Sequence, residues 1–323
     1  MLPLFPPLRS APDGSPRRVG VEIEFTGPGC APVAALVNRL FGGSVAELDP
    51  HRYAVRGTRL GDFTVELDMS AAHPAAGEDS REAGVVPTLK ANARYAMGAV
   101  ASLIMPYEVV SPPVTIGRLV DLDNLVEVLR QAGARGTQRN PLYAFGLHLN
   151  PEAAALDAGY IVDLLKAFML LAPWLRAEIG IDLSRRLSPF IERYSEDYVH
   201  RVVDPDYRPA LDRLIDDYLA ANPSRNRELD LHPLFAHIDA DRVTGRVREK
   251  KLKPRPAFHY RLPDSRVDAA DWSIVADWNR WVAVERLAAE RGRLNNLGRD
   301  YLDRSAARAP EEAWLAQVKE WIA

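Results

Sequence analysis

The sequence predicts an α+β fold, an antiparallel or mixed sheet with helices packed on one side. Two observations carry that expectation. Segments with apolar residues at period two, such as RRVGVEIEFTG at 17–27, alternate along the chain with segments of helical spacing. Several of the period-two segments also follow one another through turns too short for the crossover that a parallel pair requires. At 323 residues, 47% hydrophobic and 26% charged, the chain has enough apolar surface for such a core.

Each element can be justified in turn. Residues 1–16 are apolar but broken by prolines and lack a basic start followed by a continuous apolar run, so they read as a loose lead-in rather than a signal peptide. In the first strand Val19, Val21, Ile23 and Phe25 share one side, and Gly20, Glu22 and Glu24 share the other. Residues 31–40 have helical spacing, and 45–48, 51–55 and 62–67 read as short strands separated by glycine-containing turns. A helix over 87–104 opens on a proline; the strand YEVV at 107–110 is stopped by SPPV, because proline cannot continue the ladder. A helix over 119–131 ends at Gly133, and the strand YAFGLHLN at 143–150 leads into a long helix from about 156 to 179. That helix contains Asp163, Lys166 and Pro173, which leave it short of an uninterrupted membrane span and mark it as buried. From 180 to 246 the pattern is helical and irregular, a helical insertion. The basic run REKKLKPR at 248–255 introduces the strand PAFHYRLPD, and helices at 272–291 and 311–322 close the chain. With no repeat and no low-complexity linker, residues 17–323 read as a single domain.

Composition narrows the function. A formal net charge of −3 offers no broad basic field for nucleic acid or an acidic membrane surface. Cys30 is the only cysteine, which excludes an intrachain disulfide and a cysteine metal knuckle and fits a reducing cytoplasm. Trp272, Trp278, Trp281, Trp314 and Trp321 in the closing helices suit an oligomer interface as well as a core.

The polar residues that recur at period two carry the chemistry. Glu22 and Glu24 share a strand face roughly 7 Å apart. In FTVELD, Glu66 and Asp68 do the same; Glu108 begins an otherwise apolar strand; Gly146, His148 and Asn150 share a face, as do His259 and Arg261. Taken singly, each has an ordinary explanation: a solvated strand face, a hydrogen-bonded core histidine, a surface ion pair. Together they give one sheet a face of carboxylates, imidazoles and a guanidinium, and burying those groups unpaired is costly. Hard divalent cations such as Mg²⁺ and Mn²⁺ would relieve that cost and leave positions open for phosphate and water. A carboxylate sheet with an arginine nearby suits a nucleoside triphosphate held through metals, since no GxxxxGK[ST] phosphate loop is present. One or two residues of the basic run add direct contacts, and Lys251 and Arg255 are the candidates.

The ordered set GVEIEF, LDMS, EVVSPP and GLHLN resembles the amidoligases of the glutamine synthetase and glutamate-cysteine ligase superfamily, and PAFHYRLPD is similar to the glutamine synthetase strand in which a metal-binding Glu precedes an Arg and a Pro-Asp pair. The resemblance runs from about 17 to 285, with the stretch from 180 to 246 unmatched. It implies an ATP-dependent carboxylate-amine ligase, cytoplasmic, whose antiparallel sheet forms an open half-barrel around two or three divalent cations. Carried over by position, Glu22 and His148 would hold the metal nearer the nucleotide, and Glu24 and Glu108 the metal nearer the substrate carboxylate. Asn150 would contact phosphate, Arg261 would stabilise the phosphoryl group in transfer, and Asp68 would orient the metals or the incoming amine. The substrates would be a small-molecule or peptide carboxylate and an amine, and the insertion would serve as lid or substrate wall, contributing Arg185, Arg186 or Arg193 to a carboxylate site. His259 stands where glutamine synthetases carry a metal-binding Glu; it can ligate but brings no negative charge. Two other readings stay open: a non-catalytic relative that binds a ligand or partner, and a metal-dependent hydrolase.

Overall fold

The structure is a computed structural model that describes residues 1–68, 106–137, 145–180, 191–247, 252–307 and 311–322. Among the described residues nine strands form one sheet: β1 (Arg18–Phe25), β2 (Ser44–Asp49), β3 (Arg52–Thr58), β4 (Gly61–Leu67), β5 (Tyr107–Val110), β6 (Val114–Thr115), β7 (Leu147–Pro151), β8 (Leu229–Asp230) and β9 (His259–Tyr260). Their order across the sheet is β2-β3-β4-β5-β1-β7-β9-β8, with β6 beside the start of β1. Every pair is antiparallel, and the sheet does not close into a barrel. The helix expected over 87–104 lies outside the described residues.

The apolar side of each strand faces helices. Val19, Val21, Ile23 and Phe25 of β1 are all at most 2% exposed and join one core with Val55, Phe63, Val65, Val109, Leu147 and Leu149 from the neighbouring strands. Helices α1 (Cys30–Phe41), α2 (Leu119–Gln131), α3 (Ala158–Ile179) and α8 (Ile274–Ala289) supply the opposing side chains. The opposite side of the sheet is left for the polar residues. α3 is long and apolar enough to cross a membrane by length and composition, yet 78% of its apolar window is buried inside the fold. The charges in its first half are satisfied there: Lys166 donates to the Asp204 carbonyl at 2.7 Å, and Asp163 binds Arg208 and, at 3.0 Å, Arg291.

The segment from 180 to 246 is mostly helical where described, with α4 (Glu196–Val203), α5 (Leu211–Ala221), α6 (His232–Ile238) and α7 (Ala240–Thr244). It also contains β8, which extends the sheet beyond β9. The strand read in PAFHYRLPD shortens to His259–Tyr260 because Pro256 and Pro263 flank it and cannot donate to a ladder. A helix that the sequence did not announce, α9 (Arg291–Ala306), precedes α10 (Glu311–Ile322). Its stretch RLNNLGRD is polar and carries Gly298, poor credentials for a helix. Packing decides it: a Cβ on Gly298 would lie 2.3 Å from the Val203 carbonyl, so only glycine lets α9 pass the end of α4. The lead-in, expected to be loose, is tied to α8 by the Leu4 amide on Asn279 Oδ1 at 2.7 Å and Trp278 Nε1 on the Leu4 carbonyl at 2.8 Å.

One buried carboxyl in this layer makes stability depend on pH. Asp277 of α8 is 1% exposed; burial pushes its carboxyl up to about 6 although Arg280 at 2.6 Å and Trp272 Nε1 at 3.0 Å favour the ionised form. In the unfolded chain the same group titrates near 4. The stability it contributes is therefore complete below about pH 4 and is lost as pH rises through about 6. Asp277→Asn is expected to flatten that decline, by up to about 3 kcal/mol between pH 4 and 7. Urea denaturation at a series of pH values reads the difference; identical pH slopes would show that Asp277 ionises in the folded chain at no cost.

Candidate metal centre

Antiparallel register assembles the polar side of the sheet. Glu24 of β1 stands opposite Glu108 of β5, which also stands opposite Glu66 of β4, so three carboxylates from three strands form one row. On the other flank of β1, Glu22 stands opposite His148 of β7, and Gly20 opposite Asn150. The Glu22 carboxylate accepts from Asn150 Nδ2 at 2.9 Å, meets His148 Nδ1 at 3.0 Å and lies 3.7 Å from His259 Nε2. His148 turns its other nitrogen, Nε2, toward Glu24 at 3.6 Å. Glu24 is fixed in turn by the Gly146 amide, which donates to Oε2 at 2.7 Å. Two donor triads result, Glu22-His148-His259 and Glu24-Glu108-His148, each with its ligand atoms within 4.8 Å of one another.

The electrostatics of the cluster favour a cation. Burial, followed by the charges of Glu22, Asp68, Glu24 and Glu66, pushes the Glu108 carboxyl well above the usual carboxylate range. Burial also works against ionised Glu22, but its hydrogen bond to His148 and the nearby His259 imidazole outweigh that and hold it well below the range. His148 is pushed down to about 4 by burial, Glu22 pulling the other way, so at neutral pH it presents a lone pair. His259 Nε2 is buried with no hydrogen-bond partner among the described residues. An orphaned imidazole nitrogen aimed at a crowd of carboxylates fits a divalent cation accepting N and O donors.

A family model described as "Putative amidoligase enzyme" matches residues 15–283, most of the chain. The chain belongs to the amidoligase family. No curated protein and no solved structure matches it. In this amidoligase the donors Glu22, Glu24, Glu108, His148 and His259 are brought together on one side of the sheet. Asn150 and Arg255 also meet: Arg255 Nη2 donates to Asn150 Oδ1 at 2.6 Å and lies 3.6 Å from Glu22 Oε1. Arg261 donates through Nη1 to the Arg225 carbonyl at 2.8 Å. Asp68 sits at the end of β4, half-buried, its amide on the Pro106 carbonyl at 3.0 Å, close enough for its charge to act on Glu108. Lys251, Arg185 and Arg186 lie outside the described residues, as do Met69 and Ser70 of LDMS, and the Arg193 carbonyl accepts from Arg227 at 2.9 Å.

Sequence reasoning missed a group behind His259. Asp230 of β8, 0% exposed, stands opposite His259 in register, its Oδ2 3.4 Å from His259 Nδ1. The same carboxylate binds Arg225 Nε at 3.0 Å and His232 Nδ1 at 2.6 Å, while the neighbouring Glu228 forms a two-pronged pair with Arg176 at 2.7 Å on each arm. A signal was present: ELDLH at 228–232 sets Glu228, Asp230 and His232 at the same period of two as the first strand.

Proposed function

We propose that this amidoligase is an ATP-dependent ligase that joins a carboxylate to an amine through an acyl phosphate. One observation carries the reading: two triads of carboxylate and imidazole donors, buried except for the half-buried Glu22 and sharing His148, lie beside the Asn150–Arg255 bridge on an open sheet. When bound, two or three Mg²⁺ or Mn²⁺ ions would neutralise phosphate charge and keep the transferring group in line with its acceptor. Glu22, His148 and His259 are the residues to hold an ion near the nucleotide, and Glu24 and Glu108, with His148, one near the substrate carboxylate. Asn150, Arg255 and Lys251 bind phosphate oxygens. Arg261 faces the phosphoryl group in flight, where a planar cation lowers the cost of charge spreading over its oxygens. A carboxylate oxygen takes the γ-phosphoryl as ADP leaves; the amine nitrogen then attacks the acyl carbon, gives up its proton and expels phosphate. Asp68 orients the amine, and the sheet, on this reading, curves as the half-barrel of glutamine synthetases with the segment from 180 to 246 as the substrate wall. The substrates are small-molecule or peptide carboxylates and amines, and the setting is cytoplasmic.

The test is ADP release by the purified chain with ATP and Mn²⁺ or Mg²⁺, screened against a panel of carboxylates and amines. Release that requires both substrates is expected. Turnover of an amide without nucleotide would instead favour the hydrolase, and nucleotide binding with no ADP under any pairing the non-catalytic relative. Arg261→Lys then separates transfer from binding. Lysine keeps the charge but not the planar fork, so turnover should fall about tenfold or more while ATP affinity stays within about threefold. Equal losses in both would make Arg261 a binding residue.

A further inference from the structure

We infer that Asp230 is a positioning residue for this centre, fixing the His259 imidazole so that a bare Nε2 points at Glu22. The inference rests on the metal-dependent reading above and adds to it a residue from the edge strand beside β9. Asp230 is fully buried and faces His259 in register. Its carboxylate is ringed by donors: Oδ1 takes His232 Nδ1 at 2.6 Å and the His232 amide at 2.9 Å, and Oδ2 takes Arg225 Nε at 3.0 Å. Such a carboxylate is an acceptor only, so the hydrogen on the His259 ring sits on Nδ1 and is donated to Asp230 Oδ2, 3.4 Å away. The lone pair is thereby left on Nε2, the atom that is buried without a partner 3.7 Å from Glu22 Oε2. The ring is also braced edge-on by His148, with centroids 5.1 Å apart at 88°.

A carboxylate behind a histidine sets which nitrogen is free to ligate and holds the ring's rotation. A ligand Glu needs no such support, because either of its oxygens can serve. An imidazole offers one lone pair in one direction, and His259 occupies the position where the family resemblance leads one to expect Glu. Arg225 keeps the charge of Asp230 balanced locally, so what reaches the centre through His259 is orientation more than net charge.

Two measurements test this. In the metal-free chain labelled with ¹⁵N-histidine, long-range ¹H–¹⁵N spectra at mildly alkaline pH report the tautomer directly, the His259 signals being assigned from a His259→Gln variant. A hydrogen on Nδ1 and a bare Nε2 are expected; the reverse tautomer overturns the inference, whether or not any Asp230 variant folds. Mn²⁺ affinity is then measured by calorimetry for the unaltered chain, Asp230→Asn, His259→Glu and the double variant. Asp230→Asn should weaken Mn²⁺ binding about 10- to 100-fold in the unaltered background. In the His259→Glu background, where no tautomer is left to fix, the loss should shrink to within about threefold. Equal losses in both backgrounds, or no loss in either, would overturn the positioning role alone. Failure of the unaltered chain to bind Mn²⁺ would overturn the metal reading itself, and the inference with it.

Discussion

Replacing Glu22 with Gln is expected to weaken Mn²⁺ binding at least about 100-fold, beyond what loss of an outer partner costs, and to leave the fold intact. Glu22 is the hub of the centre, engaging Asn150, His148 and Arg255 and lying next to His259. Glutamine keeps the shape and one acceptor oxygen, so Asn150 retains a partner and the strand keeps its register. What it removes is the charge, which His148 and His259 hold in the ionised form against the pull of burial. Its removal also takes away the first-ranking of the charges that push Glu108 up. Calorimetric titration with Mn²⁺ and a thermal melt of the same sample check both halves of the expectation. Unchanged affinity would mean that the paired carboxylates of β1 are solvent decoration.

A second large effect lies at the other end of β1, far from any metal donor. The Arg17 guanidinium binds Glu285 of α8 through two arms at 2.6 and 2.8 Å, with side chains 1% and 4% exposed. It also donates to the carbonyls of Glu152 and Leu8, at 2.7 and 2.8 Å, while Trp281 Nε1 donates to Glu285 at 2.7 Å. Arg17→Met leaves the Glu285 charge buried with a single neutral donor. Breaking a pair of this kind costs about 3–5 kcal/mol, whereas replacing both partners with apolar groups of similar volume is often close to neutral. Equilibrium urea unfolding should therefore show a loss of about 3–5 kcal/mol for Arg17→Met and recovery of much of it in the double variant Arg17→Met, Glu285→Leu. If the single variant lost less than about 1 kcal/mol, as exposed pairs do, the link would be of the ordinary surface kind.

The donors were legible because alternation is a local property. Five or six residues suffice to show that Glu22 and Glu24, or His148 and Asn150, share a face. Which strands lie side by side is not local. Nothing in VEIEF or YEVV announces that Glu24 and Glu108 are cross-strand neighbours, or that Glu66 continues their row. Asp230 escaped for a related reason: ELDLH has the same period, but it sits among helical segments, and only two of its residues pair. α9 was hidden by composition, since its stability comes from α4 and α3 rather than from its own residues. Nothing local marks Arg17, whose partner is 268 residues away.

The order of the strands has a consequence for how the centre comes into being during synthesis. Its donors lie on β1, β5, β7 and β9, and β8, between the last two in sequence, ends up outside them all in space. Pairings that span most of the chain must overcome the entropy of closing long loops before they bring any reward, and they form late. On a growing chain Glu22 and Glu24 emerge early, yet they have no imidazole beside them until β7 is made and no second one until His259 follows. Until then each carboxylate is free to stay in water, where its charge costs little. Late pairing of the last strand would make burial of the cluster coincide with completion of its donor set, so that no half-built charged cluster need be held in the interior.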